Sequence, residues 1–229
     1  MTISFEDFNQ RSEEVSKYFD FLQDLQQGKI KLITEIQGNS KAQKIDTELE
    51  NTLKASAYLL LYNFIESTMK DAIEAIFNEL QNQGISFDKI RPELKRILLR
   101  NLKRRDPDKI FAQIQDISLD IVQIGFKREE LFSGNIDARL IRDIASKYGF
   151  SADTEYVETS NGGDLLTVKT NRNDLAHGIK SFAEVGKERG ADELIKIKDK
   201  VVEYLRQILE NIETYLENEE YLNPSTNTP

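Results

Sequence analysis

The chain has no cysteine, only four prolines and eleven glycines, and a single histidine. Without thiols there is no disulfide, no thiolate metal site and no cysteine nucleophile. So little proline and glycine disfavours a fold of many short strands joined by tight turns. Long apolar runs are missing too. The stretch that starts at Ala57 and passes Leu61 falls far short of the roughly 18 residues needed to span a bilayer. The opening Met1-Thr2-Ile3-Ser4-Phe5-Glu6-Asp7-Phe8 carries acids where a secretory leader would be basic and then apolar. A cytoplasmic location, with no membrane partner, is the expectation by exclusion. Positive charge is also in short supply. The formal net charge is −9, which argues against a general nucleic-acid binder. The exception runs from Lys89 to Lys109. There Lys89, Arg91, Lys95, Arg96, Arg100, Lys103, Arg104, Arg105 and Lys109 face only Glu93, Asp106 and Asp108. Such a segment either steers a polyanion locally or forms a solvated helix face.

What is present reads as helix. At 229 residues, 39% hydrophobic and 31% charged, the chain suits one globular domain with embellishments. Phe5, Phe8, Val15, Phe19, Leu22 and Leu25 recur at helical spacing, and Gly28 ends that pattern. Ile30 to Ile36 fits a helical turn or a strand, and Gly38-Asn39-Ser40 is a break. A long amphipathic stripe then runs from about Lys41 to Gln83, through Leu49, Leu53, Ala57, Leu61, Ile65, Ile73 and Leu80. Arg91-Pro92 and Asp106-Pro107 open further helices. The stripe after Pro107 takes in Ile110, Phe111, Ile114, Ile117 and Ile121. Asp137 caps a helix closed by Gly149, and 151–163 looks loop-like. Asp164 is the expected cap of the next helix, Ser181 to Glu184 fits a capping box, and Asp192 is a second candidate cap. A last helix repeats apolar residues from Leu194 to Leu216. The expectation is an all-α antiparallel up-and-down bundle with additional helices. It divides into an N-terminal helical extension (1–40), a helical bundle (41–221) and a disordered tail (222–229).

One stretch concentrates chemistry: Arg172-Asn173-Asp174-Leu175-Ala176-His177-Gly178. On a helix, Asn173 and His177 share a face. Arg172 falls on the stripe of Leu165, Val168, Leu175 and Ile179, where a guanidinium must find an anion or several acceptors. Arginine grips phosphate, and histidine exchanges protons near neutral pH. Together they suit RNA cleavage by the ribose 2′-hydroxyl, which needs a base, an acid and stabilisation of phosphoryl charge. With one histidine per chain, two proton transfers through imidazole require two chains. By spacing alone, a lone histidine near a helix end is more often a capping or structural residue.

The same residues, in the form Arg-Asn-x-x-x-His, resemble the Arg-x4–6-His signature of the HEPN superfamily. Leu53 to Ser67 resembles the first core helix of its stand-alone MAE-type branch. Gly134 to Gly149 resembles the middle segment of that branch, and His177 to Gly186 with the following helix resembles its close. The resemblance covers roughly 45 to 216 and implies a HEPN-like bundle that dimerises with paired signature helices. It implies a metal-independent endoribonuclease that leaves a 2′,3′-cyclic phosphate and needs no cofactor. Such an enzyme would cut RNA, tRNA among the candidates, as a toxin or defence effector with a cognate antitoxin. Carried over by position, Arg172 and His177 are the catalytic pair, Asn173 assists, and Glu66 and Asp174 support. Lys103, Arg104 and Arg105 are the expected RNA-binding cluster. The alternative is a non-catalytic HEPN module that binds RNA or a nucleotide, and a third is a helical scaffold whose histidine is structural.

Overall fold

A computed structural model describes residues 5–36, 39–111, 117–128, 131–132 and 134–224. It is all-α apart from one small hairpin, as the periodicities predict. In chain order the elements are α1 (Phe5–Gln26), β1 (Leu32–Ile36), β2 (Asn39–Gln43), α2 (Thr47–Asn82), α3 (Pro92–Lys103), α4 (Pro107–Phe111) and α5 (Ile117–Gly125). There follow α6 (Ala138–Tyr148), α7 (Tyr156–Thr159), a 3-10 turn (Ser160–Gly162), α8 (Gly163–Ala176), α9 (Phe182–Gly186) and α10 (Ala191–Glu217). The predicted stripe residue Ile114, Gly38 of the predicted break, Ser133 of the predicted turn and the end of the tail (225–229) lie outside the described residues.

Local chemistry sets most boundaries. Gly28 and Gly84 take φ of +71° and +59° just past α1 and α2, the left-handed geometry glycine permits without strain. Asp137 caps α6 by accepting the Leu140 N–H at 2.9 Å, and Gly149 closes that helix in the left-handed region. Asp106 accepts the Asp108 N–H at 3.0 Å ahead of α4.

Four boundaries differ from expectation. The long helix begins at Thr47 rather than near Lys41, because the Asp46 carboxylate caps it at the Leu49 N–H (2.8 Å). Residues 39–43 instead pair antiparallel with 32–36, from Leu32↔Gln43 to Ile36↔Asn39. Asp164 does not cap α8. Gly162 does, at φ +73°, after Ser160 and Asn161 have already turned left-handed, and this turn replaces part of the predicted loop. Asp192 lies inside the first turn of α10 and accepts from Gln23 Nε2 (2.9 Å), while Glu193 takes the Gly190 N–H (3.1 Å).

The chain forms two compact units. The signature unit comprises Phe5–Ile65 and Tyr156–Tyr204. Within it α1 buries Phe8, Val15, Phe19, Leu22 and Leu25. Phe8 meets Phe64, and the Tyr18 hydroxyl donates to the Leu53 carbonyl, so α1 and α2 run antiparallel. Ser16 with Lys198 and Gln26 with Ala191 set α1 antiparallel to α10. Gly186 on α9 lies so close to α2 that a Cβ would sit 1.8 Å from the Asn51 carbonyl oxygen.

The basic unit comprises Glu66–Glu155 and Leu205–Pro229. Its core is a chain of rings, Phe126, Phe77, Tyr148, Phe150, Tyr215 and Tyr221, with successive centroids 4.3 to 6.5 Å apart. Such pairs add roughly 0.5–1.5 kcal/mol each beyond area burial. The Tyr215 hydroxyl donates to the Tyr148 carbonyl at 2.9 Å. Arg91 ties the unit's ends together by donating to the Gly149 and Glu220 carbonyls and to Glu93.

Candidate active site

Helix α8 presents the signature. Leu165, Val168, Asn171 and Leu175 form its buried face. Asn171 is tolerated there because its amide donates back to the Thr167 carbonyl at 3.0 Å. Ile179, expected on the same stripe, lies past the helix end and is 68% exposed. Gly178, at φ +65°, has already broken the register.

Arg172 projects from the edge of the buried face and is half-buried. Its contacts include an aromatic ring and an amide. The guanidinium carbon lies 4.5 Å from the Tyr62 ring centroid, and Nη1 donates to Asn173 Oδ1 at 2.9 Å. A guanidinium over a ring is held by the ring's negative face, and its N–H fork is the group that grips a phosphate. Tyr62 is itself fully buried on α2. Its neighbour one turn earlier, Tyr58, is also buried, and that burial pushes its phenol up to about 12 against the opposing effect of Arg189.

His177 caps the end of α8. Its backbone N–H closes the last helical bond to the Asn173 carbonyl (2.9 Å), and its imidazole is exposed. The turn that follows is tied down. The Ile179 and Lys180 N–H groups both donate to the Asp174 carbonyl. The Lys180 ammonium lies 3.4 Å from the Asp174 carboxylate and 2.9 Å from Glu188. Glu188 first, and Asp174 behind it, raise the Lys180 ammonium above its ordinary value. Ser181 and Glu184 then form the expected capping box of α9.

Arg172, Asn173, Asp174 and His177 thus share one helix and its end. The other predicted residues belong to the basic unit. Glu66 accepts from Lys70 Nζ at 2.7 Å, an i,i+4 pair along α2. Lys103 ends α3, Arg104 caps it, and both are exposed. Arg105 is half-buried, with Nε and Nη2 enclosed and making no hydrogen bond to a described residue. The sequence reading missed two participants, Tyr62 and Lys180. Tyr62 is one of three aromatic residues between Ala57 and Ile65, a signal equally suited to core filling. Lys180 is one of many lysines, and only the turn at Gly178 brings it back to Asp174. Among the described residues no group of three or more His, Asp or Glu side chains is arranged to hold a metal ion, and no helix is long and apolar enough to cross a membrane.

A family model described as HEPN_MAE_28990-like HEPN matches residues 2–221. Neither the curated proteins nor the solved structures include a match to the chain.

Proposed function

The chain belongs to the HEPN superfamily, and on that footing we propose that it is a homodimeric endoribonuclease whose active site pairs two copies of α8. The observation that carries this reading is Arg172 laid on Tyr62, with the exposed His177 one helical turn further along. One His177 takes the proton from the ribose 2′-hydroxyl, whose oxygen bonds to phosphorus. The bond from phosphorus to the 5′-oxygen breaks, and the second His177 gives that oxygen its proton. The products are a 2′,3′-cyclic phosphate and a free 5′-hydroxyl. Arg172 stabilises the charge that builds on the non-bridging oxygens. Asn173, which accepts from the guanidinium, fixes the angle of that charge. The protein acts in the cytoplasm on cellular RNA, tRNA among the candidates, as a toxin or defence effector restrained by a cognate antitoxin.

Exposed apolar side chains in the signature unit support the dimer. Leu166 on α8 is 54% exposed, and Val157 on α7 is 86% exposed. With Ile179, they are side chains that a second copy would cover.

Incubation of RNA with wild type, Arg172→Ala and His177→Ala in the presence of EDTA tests the reading. Cleavage by wild type alone is expected. RNA binding without cleavage by wild type would instead make the chain a non-catalytic binding module, and neither activity would leave a helical scaffold. Mixing wild type with an excess of His177→Ala should suppress activity beyond simple dilution, because each mixed dimer holds one His177 where the reaction uses two. A monomer by light scattering at working concentration would sink the paired-helix arrangement.

A further inference from the structure

The β1–β2 hairpin belongs to the signature unit, and no third strand pairs with either of its edges among the described residues. Isolated two-stranded ribbons are marginal in water, and this one exposes Ile33 at 68%. It is also basic within an acidic chain. Lys31, Lys41 and Lys44 are all exposed, and none has an ion-pair partner among the described residues. Lys29, just before them, is different, for its ammonium pairs with Asp24 at 2.8 Å. The one acid of the two strands, Glu35, accepts from Ser40 across the ribbon. Leu32 pairs with Gln43, so the next positions out set Lys31 and Lys44 beside each other at the ribbon's base. Like charges facing each other across a hairpin destabilise it, and an anion between them removes that cost.

We propose that this ribbon is an RNA-binding arm, with Lys31 and Lys44, on the face of Ile33, and Lys41, on the opposite face, each holding a phosphate as the strand crosses the ribbon's edge, and Ile33 against a base or ribose. The proposal rests on the ribonuclease reading and adds the element that holds the substrate strand. An anionic lipid surface would meet the same charges. RNA is favoured because the ribbon shares its unit with Arg172 and His177, to which a phosphodiester must be delivered.

The test is the affinity of a labelled single-stranded RNA for wild type and for Lys31→Gln/Lys41→Gln/Lys44→Gln, measured between roughly 50 and 200 mM salt. Each phosphate contact on a single strand contributes about 0.7 to the slope of log affinity against log salt. Loss of three contacts should flatten that slope by about 2 and weaken binding up to about 100-fold near 0.1 M salt. A triple Lys→Arg variant should retain both values, and unchanged helical circular dichroism shows that the Gln variant folds. Equal affinity and slope in wild type and Gln variant overturn the ribbon's role while leaving cleavage by wild type intact. Unchanged RNA binding with loss of binding to phosphatidylserine vesicles overturns it in favour of a membrane. Wild type that neither binds nor cuts RNA removes the ribonuclease reading and the arm together.

Discussion

Two half-buried arginines show how the units differ. In the basic unit Arg91 commits its guanidinium to two backbone carbonyls and a carboxylate, holding the α6 end and the chain after α10 in place. In the signature unit Arg172 leans on a ring and one amide oxygen. A carbonyl clamp satisfies the donors internally and adds rigidity. A ring meets the face of the cation and not its N–H edge. The same residue type therefore meets backbone in one unit and a ring in the other, and the proposed catalysis assigns chemistry to the second.

The comparison breaks most sharply at His177. Replacement by Ala should lower cleavage about 10³-fold, within the usual range for loss of a general acid or base, with the thermal unfolding midpoint unchanged because the imidazole is exposed. Arg91→Ala should do the reverse, costing about 1–3 kcal/mol in denaturant titration, since it removes hydrogen bonds to two backbone carbonyls and a carboxylate, and leaving the specific activity of the folded fraction intact. If Arg91→Ala abolishes activity in fully folded protein, the division of labour fails. Gly186→Ala is next. The new methyl group would collide with the Asn51 backbone, so about 1–3 kcal/mol of stability should go, this time from the signature unit. Tyr62→Leu should reduce kcat about tenfold with little change in KM, and Tyr62→Phe should keep both, because the ring and not the hydroxyl supports the cation. Equal loss in both variants would assign the hydroxyl a part.

The smallest effect is alkaline. Burial holds the Tyr58 phenol up to about 12 and pushes Tyr148 and Tyr215 upward as well. An unfolded tyrosine ionises near about 10. Above that pH the unfolded chain releases protons the folded chain retains, so stability falls as pH rises through the 10 to 12 window. Tyr58→Phe should shallow that fall for the signature unit, and a steeper fall in the variant would contradict the assigned cause.

Much of this was readable beforehand, for physical reasons that can be named. Amphipathic periodicity located the helices because burial forces it, and Asp137, Gly149 and the Ser181–Glu184 box marked ends because they satisfy orphan backbone groups. The hairpin was ambiguous because five-residue strands carry too few residues to separate a period of 2 from one of 3.6. The cap at Gly162 was invisible because it depends on left-handed geometry at Ser160 and Asn161, residues that rarely adopt it. The placement of Arg172, Asn173, Asp174 and His177 on one helix and its end was legible in the sequence. The contact of Arg172 with Tyr62 was not, since it joins positions 110 residues apart in the chain, and periodicity says which side of a helix is apolar without saying which helix meets it.

Helix α8 is closed at both ends by left-handed glycines, Gly162 and Gly178, and so has a set length of 14 residues. It behaves as a ruler with both stops fixed. Arg172 is indexed to the Tyr62 ring and His177 to the final stop, so neither can slide to accommodate the other. A single residue inserted between them would swing the imidazole by about 100° and carry it about 1.5 Å further along the axis. The imidazole and the guanidinium would then face different directions, even though every residue of the signature was still present.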